Sequence, residues 1–120
     1  MEPIDLTSAK KMVDNYHNTR KKLIDKTHGV NDTQSSWIPI DKLKSFVNNL
    51  PEHATGVRIH LAAYDHDHAH FPNQTTTVLI GTTGDDKDVH TDAIQSENAT
   101  LTANDSMGPF NKTKDCPPIC

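Results

Sequence analysis

Gly56-Val57-Arg58-Ile59-His60-Leu61-Ala62-Ala63-Tyr64 is the stretch that decides the fold class. Val57, Ile59, Leu61 and Ala63 alternate with Arg58, His60, Ala62 and Tyr64. A period of two predicts a strand that buries its Val57/Ile59/Leu61/Ala63 face. Residues 75–83 follow as a second, β-branched strand centred on Val78-Leu79-Ile80. The twelve residues 64–75 that link them read as a long hairpin loop, so the two strands are expected to pair antiparallel.

Upstream, Ala9, Met12, Val13, Tyr16, Leu23 and Ile24 fall at the three-and-four spacing of a helix over residues 6–27. Asp5 or Thr7 is positioned to cap its start, Arg20, Lys21, Lys22 and Lys26 complement its carbonyl end, and Gly29 offers a left-handed stop. The Ser35-Ser36-Trp37-Ile38-Pro39-Ile40 segment reads as extended, because Pro39 disfavours a helical Ile38 and cannot donate to a ladder. Asp41 is expected to cap a second helix over 42–50, with Leu43, Phe46, Val47 and Leu50 facing one way and Pro51 closing it. Residues 88–94 suggest a third strand, and 95–115 look mostly irregular. The expected architecture is α+β: two helices packed on one face of a small, mainly antiparallel sheet, with a polar C-terminal extension. Residues 1–94 would form a single domain and residues 95–120 an irregular acidic extension ending in CPPIC.

Composition sets limits on function. The 120 residues fit one domain, but hydrophobic residues are 33% of the chain, which predicts a modest core. Residues 1–84 carry nine acids and nine bases, whereas 85–120 carry seven acids and three bases, so the whole net charge of −4 lies in the last third. That balance argues against a nucleic-acid-binding surface, whose affinity rests on cations. No apolar run approaches the roughly 20 residues of a membrane span, and Met1-Glu2-Pro3-Ile4-Asp5 has no basic start or apolar segment of a secretory signal. The expectation is therefore a cytoplasmic protein. Asn31, Asn73, Asn98, Asn104 and Asn111 each begin an Asn-X-Ser/Thr sequon, which a chain rich in Asn, Ser and Thr explains without export.

Two clusters carry potential chemistry. Asp65-His66-Asp67-His68-Ala69-His70 puts three of eight histidines and two carboxylates within six residues. In an extended chain His66, His68 and His70 point one way, so the loop is a candidate site for zinc, nickel or copper. The other is Cys116-Pro117-Pro118-Ile119-Cys120. Stretched at the polyproline rise, its two cysteines stand roughly 12 Å apart, whereas a disulfide needs less than about 7 Å; a bridge requires a turn, with a cis Pro117 or Pro118 as one route. A cytosolic chain would keep both thiols reduced, which favours Cys116 and Cys120 as additional metal ligands over a structural disulfide. A thiol redox or sensing role for the tail is a third idea. No Ser or Cys nucleophile sits in a recognisable local frame, and His17, His28, His53 and His90 are scattered, so no catalytic residue is assigned.

The string Asp32-Thr33-Gln34-Ser35-Ser36-Trp37-Ile38-Pro39-Ile40-Asp41-Lys42-Leu43-Lys44, the strand from Gly56 to Tyr64 and the terminal CPPIC together resemble a set of small uncharacterised bacterial proteins. Those share a leading helix, a Trp-centred segment running into a short helix, a Gly-X-Arg-X-Tyr/His strand and a Cys-Pro-Pro-X-Cys end. The resemblance covers about half the chain; it implies an α+β fold and brings no activity with it. The functional expectation is a non-enzymatic binding or interaction module with an unknown protein partner, a homodimer being one form, and no membrane or nucleic-acid partner. The alternative is a transition-metal-binding protein.

Overall fold

A computed structural model of the chain describes residues 1–84, 87–88, 111 and 114–117. Their fold is α+β. Helix α1 (Leu6–Tyr16) continues through a π-helical turn (His17–Lys21) into α2 (Lys22–His28), so the first predicted helix is helical throughout. Its ends are the expected ones. Asp5 accepts the Ser8 backbone N–H at 2.7 Å, and Gly29 stops the helix in the left-handed region at φ 65°. The second helix, α3, spans Ile40–Asn48 and starts behind Pro39, with no side-chain cap; Asp41 lies in its first turn instead of capping it.

Among the described residues the strands form two small antiparallel sheets where a single one is expected. Strands β2 (Ala54–Ala63), β3 (Thr75–Thr83) and β4 (Lys87–Asp88) lie in the order β2-β3-β4. The pairing of Val57 with Gly81, Ile59 with Leu79 and Leu61 with Thr77 gives the expected hairpin. Strand β1 (Ser35–Trp37) instead pairs with β5 (Lys114–Cys116), placing Ser35 opposite Cys116 and Trp37 opposite Lys114. The end of the supposedly irregular extension is therefore bound to the N-terminal half. The rest of the expected third strand beyond Asp88, and residues 95–110, 112, 113 and 118–120 of the extension, lie outside the described residues.

The face of β2 is reversed from the sequence expectation. Ile59 and Leu61 are 60% and 83% exposed, while Arg58, His60 and Ala62 are half-buried. A polar clasp sits at the hairpin end. Asn111 accepts from the Tyr64 hydroxyl at 3.0 Å and donates to Thr76 Oγ1 at 3.0 Å and to the Thr77 carbonyl at 2.6 Å. Tyr64 continues the Arg58/His60/Ala62 face, so these bonds clasp the hairpin end on that side.

Among the described residues the buried apolar side chains are only Leu79, Ile80 and Cys116, whereas Lys21, Asp32, Thr33, Gln74, Thr76, Thr82 and Asp115 are buried and polar. The centre is thus held largely by hydrogen bonds. Two substitutions test this distribution by urea denaturation. Ile80→Ala, at a fully buried site, is expected to cost about 2–5 kcal/mol, and Leu61→Lys, compared at a dilution where both chains are monomeric, to stay within about 0.5 kcal/mol of the parent. A cost for Leu61→Lys comparable to that of Ile80→Ala would return the apolar row to the core.

Candidate functional site: the histidine loop and the Asp32 junction

The histidine loop is a compact turn. The Asp65 carbonyl accepts from the His68 N–H at 3.2 Å and the Asn73 N–H at 3.3 Å, and the Phe71 carbonyl accepts from the Gln74 N–H at 3.1 Å. Asn73 takes φ 62°, a left-handed conformation that Asn tolerates better than most residues. Tyr64 N–H then donates to the Gln74 carbonyl at 3.0 Å and closes the base of the hairpin.

Inside this turn His68 serves as a structural centre. Its ring lies 4.4 Å from Tyr64 and is stacked 5.7 Å from Phe71, centroid to centroid. Its Nδ1 accepts the backbone N–H of Phe71 at 3.0 Å and of His70 at 3.3 Å. An accepting Nδ1 leaves the ring proton on Nε2. The His68 and His70 rings meet edge to face at 6.4 Å, and His66 is exposed. The extended arrangement with three imidazoles side by side is therefore not formed, because backbone turns bend the loop around the Asp65 carbonyl. Among the described residues no three His, Cys, Asp or Glu side chains are grouped to hold a metal ion.

The cysteine expectation also changes. Cys116 is disulfide-bonded, and among the described residues no cysteine is free; the sequence offers only Cys120 as partner, a residue outside the described set. Reduced thiols are thus not what the structure contains, and a bridged sulfur is not the thiolate that ligates metals. The Cys116–Pro117 peptide is cis.

A second constellation escaped sequence reasoning. Asp32 is fully buried, and its carboxylate accepts the Thr75 N–H at 2.7 Å and the Thr75 hydroxyl at 2.6 Å. Its own N–H donates to Asp25 Oδ1 at 2.6 Å. The Lys21 ammonium donates to Asp25 Oδ2 at 2.7 Å and to Asn31 Oδ1 at 2.6 Å. Next to it, Thr33 Oγ1 lies 3.3 Å from Gln74 Oε1 and donates to the Pro117 carbonyl at 2.9 Å. The helix, the loop 29–34, the start of β3 and the tail thus meet at one polar junction. The only local signals were the four-residue spacing of Lys21 and Asp25 and the Asn31-Asp32-Thr33 run after the helix stop.

Charge and burial act on this junction together. The Lys21 ammonium beside Asp25 holds its carboxyl below the ordinary 3.8. Burial, aided by the Asp32 charge, pushes the Tyr16 phenol above 10.0. In the π-helical turn, His17 Nε2 is buried with no hydrogen-bond partner among the described residues. Of the sequons, Asn111 uses its amide nitrogen on β3 and Asn31 its oxygen on Lys21; Asn98 and Asn104 lie outside the described residues.

Comparison of the chain with family models, with curated proteins and with solved structures found no match.

Two measurements check the junction. Asp32→Ala leaves both Thr75 donors without their acceptor and is expected to cost on the order of 3 kcal/mol or more in urea unfolding. The second uses pH. Because Asp25 ionises below its unfolded value of 3.8, its contribution is complete above that pH and is lost as pH falls through the lower folded value. Asp25→Asn should flatten the stability profile below about pH 4; a variant whose acid limb overlays the parent's would sink the assignment.

Proposed function

We propose that the chain is a non-enzymatic binding module whose partner seats on the apolar row of β2. The observation that carries this reading is the outward presentation of Val57, Ile59 and Leu61 along one strand face. Alternate residues of a strand stand about 6.6 Å apart, so the three form a flat apolar stripe. A contiguous exposed patch of this kind is the usual mark of an interaction surface. Met12, Val13 and Leu23 on the first helix add further exposed apolar surface. The buried carboxylates support a structural and not a catalytic role, since Asp32 is engaged by Thr75 and Asp115 by the Ser36 hydroxyl.

A second copy of the chain is the partner proposed first. The stripe is symmetric about Ile59, so an antiparallel copy brings Val57 against Leu61 and Ile59 against itself, as a two-fold contact requires. The competing reading is a transition-metal protein using His66, His68 and His70 with Cys116 and Cys120. It has less support, because His68 Nδ1 already accepts two backbone donors and Cys116 is in a disulfide.

Light scattering at high micromolar concentration should give a doubled mass for the parent and a single mass for Ile59→Lys/Leu61→Lys, with the circular dichroism unchanged. A monomeric parent would sink the homodimer and leave the stripe to a different protein. Titration with zinc, nickel and copper decides the competitor. Stoichiometric, tight binding abolished by His66→Ala/His68→Ala/His70→Ala would replace the interaction reading.

A further inference from the structure

We infer that the terminal Cys116-Pro117-Pro118-Ile119-Cys120 ring is a dithiol-reducible latch that holds β5 on β1. The residues that close the latch belong to the ring itself. The Cys116 carbonyl accepts the Gln34 N–H at 2.7 Å, and the carbonyl of the next residue, Pro117, accepts the Thr33 hydroxyl at 2.9 Å. Immediately before them, the buried Asp115 accepts from Ser36. Strand β5 has only three paired residues, from Lys114 to Cys116. A two-stranded sheet of that length is marginal by itself, so whatever orients the tail decides whether it stays docked.

The disulfide supplies that orientation. It holds the chain in a turn in which successive carbonyls, those of Cys116 and Pro117, both meet donors from residues 33 and 34. Opened, a Pro-Pro pair favours the extended polyproline backbone, in which successive carbonyls point in different directions. By loop-closure entropy, a five-residue ring restricts the released state by about 30-fold.

The step is a thiol–disulfide exchange with a small dithiol. Because Cys116 is buried, we place the attack of the dithiol's thiolate on the sulfur of Cys120. The S–S bond breaks, Cys116 leaves as a thiolate and takes up a proton. The second thiol of the reagent then attacks the mixed disulfide and releases Cys120 as a thiol. Two electrons and two protons pass to the protein, and the dithiol becomes a disulfide. The product frees the backbone edge of Ser35–Trp37.

Amide hydrogen exchange of the full chain, with and without dithiothreitol, tests the latch. Reduction is expected to speed exchange of the Gln34 N–H by about 30-fold, with the β2–β3 amides unchanged. Cys116→Ser/Cys120→Ser should exchange at the fast rate without reductant. Three results would overturn the inference. One is unchanged Gln34 exchange when alkylation shows both thiols free. Another is equal acceleration across β2–β3, which would make the bridge a staple of the whole fold. The last is protein prepared in air whose mass lacks the loss of two hydrogens that one disulfide brings.

Discussion

The carboxylate of Asp32 is the constraint on which the rest of the structure depends. A buried charge is tolerated only when its lone pairs are occupied, and Asp32 meets that condition with the amide and hydroxyl of a single residue, Thr75. That pairing fixes where β3 begins relative to the loop after the first helix. The Asp32 amide then ties the loop to Asp25, and Lys21 ties Asp25 to Asn31. With Leu79, Ile80 and Cys116 as the buried apolar residues described, hydrophobic burial is too sparse to select this geometry. Directional bonds do so instead, and they tolerate less displacement than an oily contact does.

Local periodicity made much of the fold legible. The first helix, its Asp5 and Gly29 ends and the β2–β3 hairpin all follow from spacing and from the conformational preferences of single residues. The face of β2 does not. Alternation says that a strand has two unlike sides; contacts that reach it from far along the chain, such as that of Asn111 with Tyr64 47 residues away, leave no mark in the period. The same distance limit hid β5, whose strand character comes from pairing with Ser35–Trp37.

The candidate site was legible only as composition. His66, His68 and His70 stand out in the sequence, but parity describes an extended chain, and the Asp65 carbonyl gathers the backbone into a turn that makes His68 a packing residue. For the cysteines, the argument from compartment pointed to thiols, whereas Cys116 is bridged and followed by a cis Pro117. Asp32 had no sequence signature, because a carboxylate in a polar loop looks the same whether it faces water or Thr75.

The pairing of β1 with β5 also orders events during synthesis. Thr33 and Pro117 stand 84 residues apart, Asp32 and Thr75 only 43, and the β2–β3 hairpin closes across a single loop. On a ribosome Thr75 emerges before the hairpin is complete, so Asp32 meets its partner as β3 begins, the hairpin closes at Thr83, and β1 waits for residues 114–116. Throughout that wait the nascent chain displays the bare edge of β1 together with the apolar stripe of β2. Neighbouring chains on one messenger RNA therefore meet while both surfaces are open, and pairing between copies competes with closure within each.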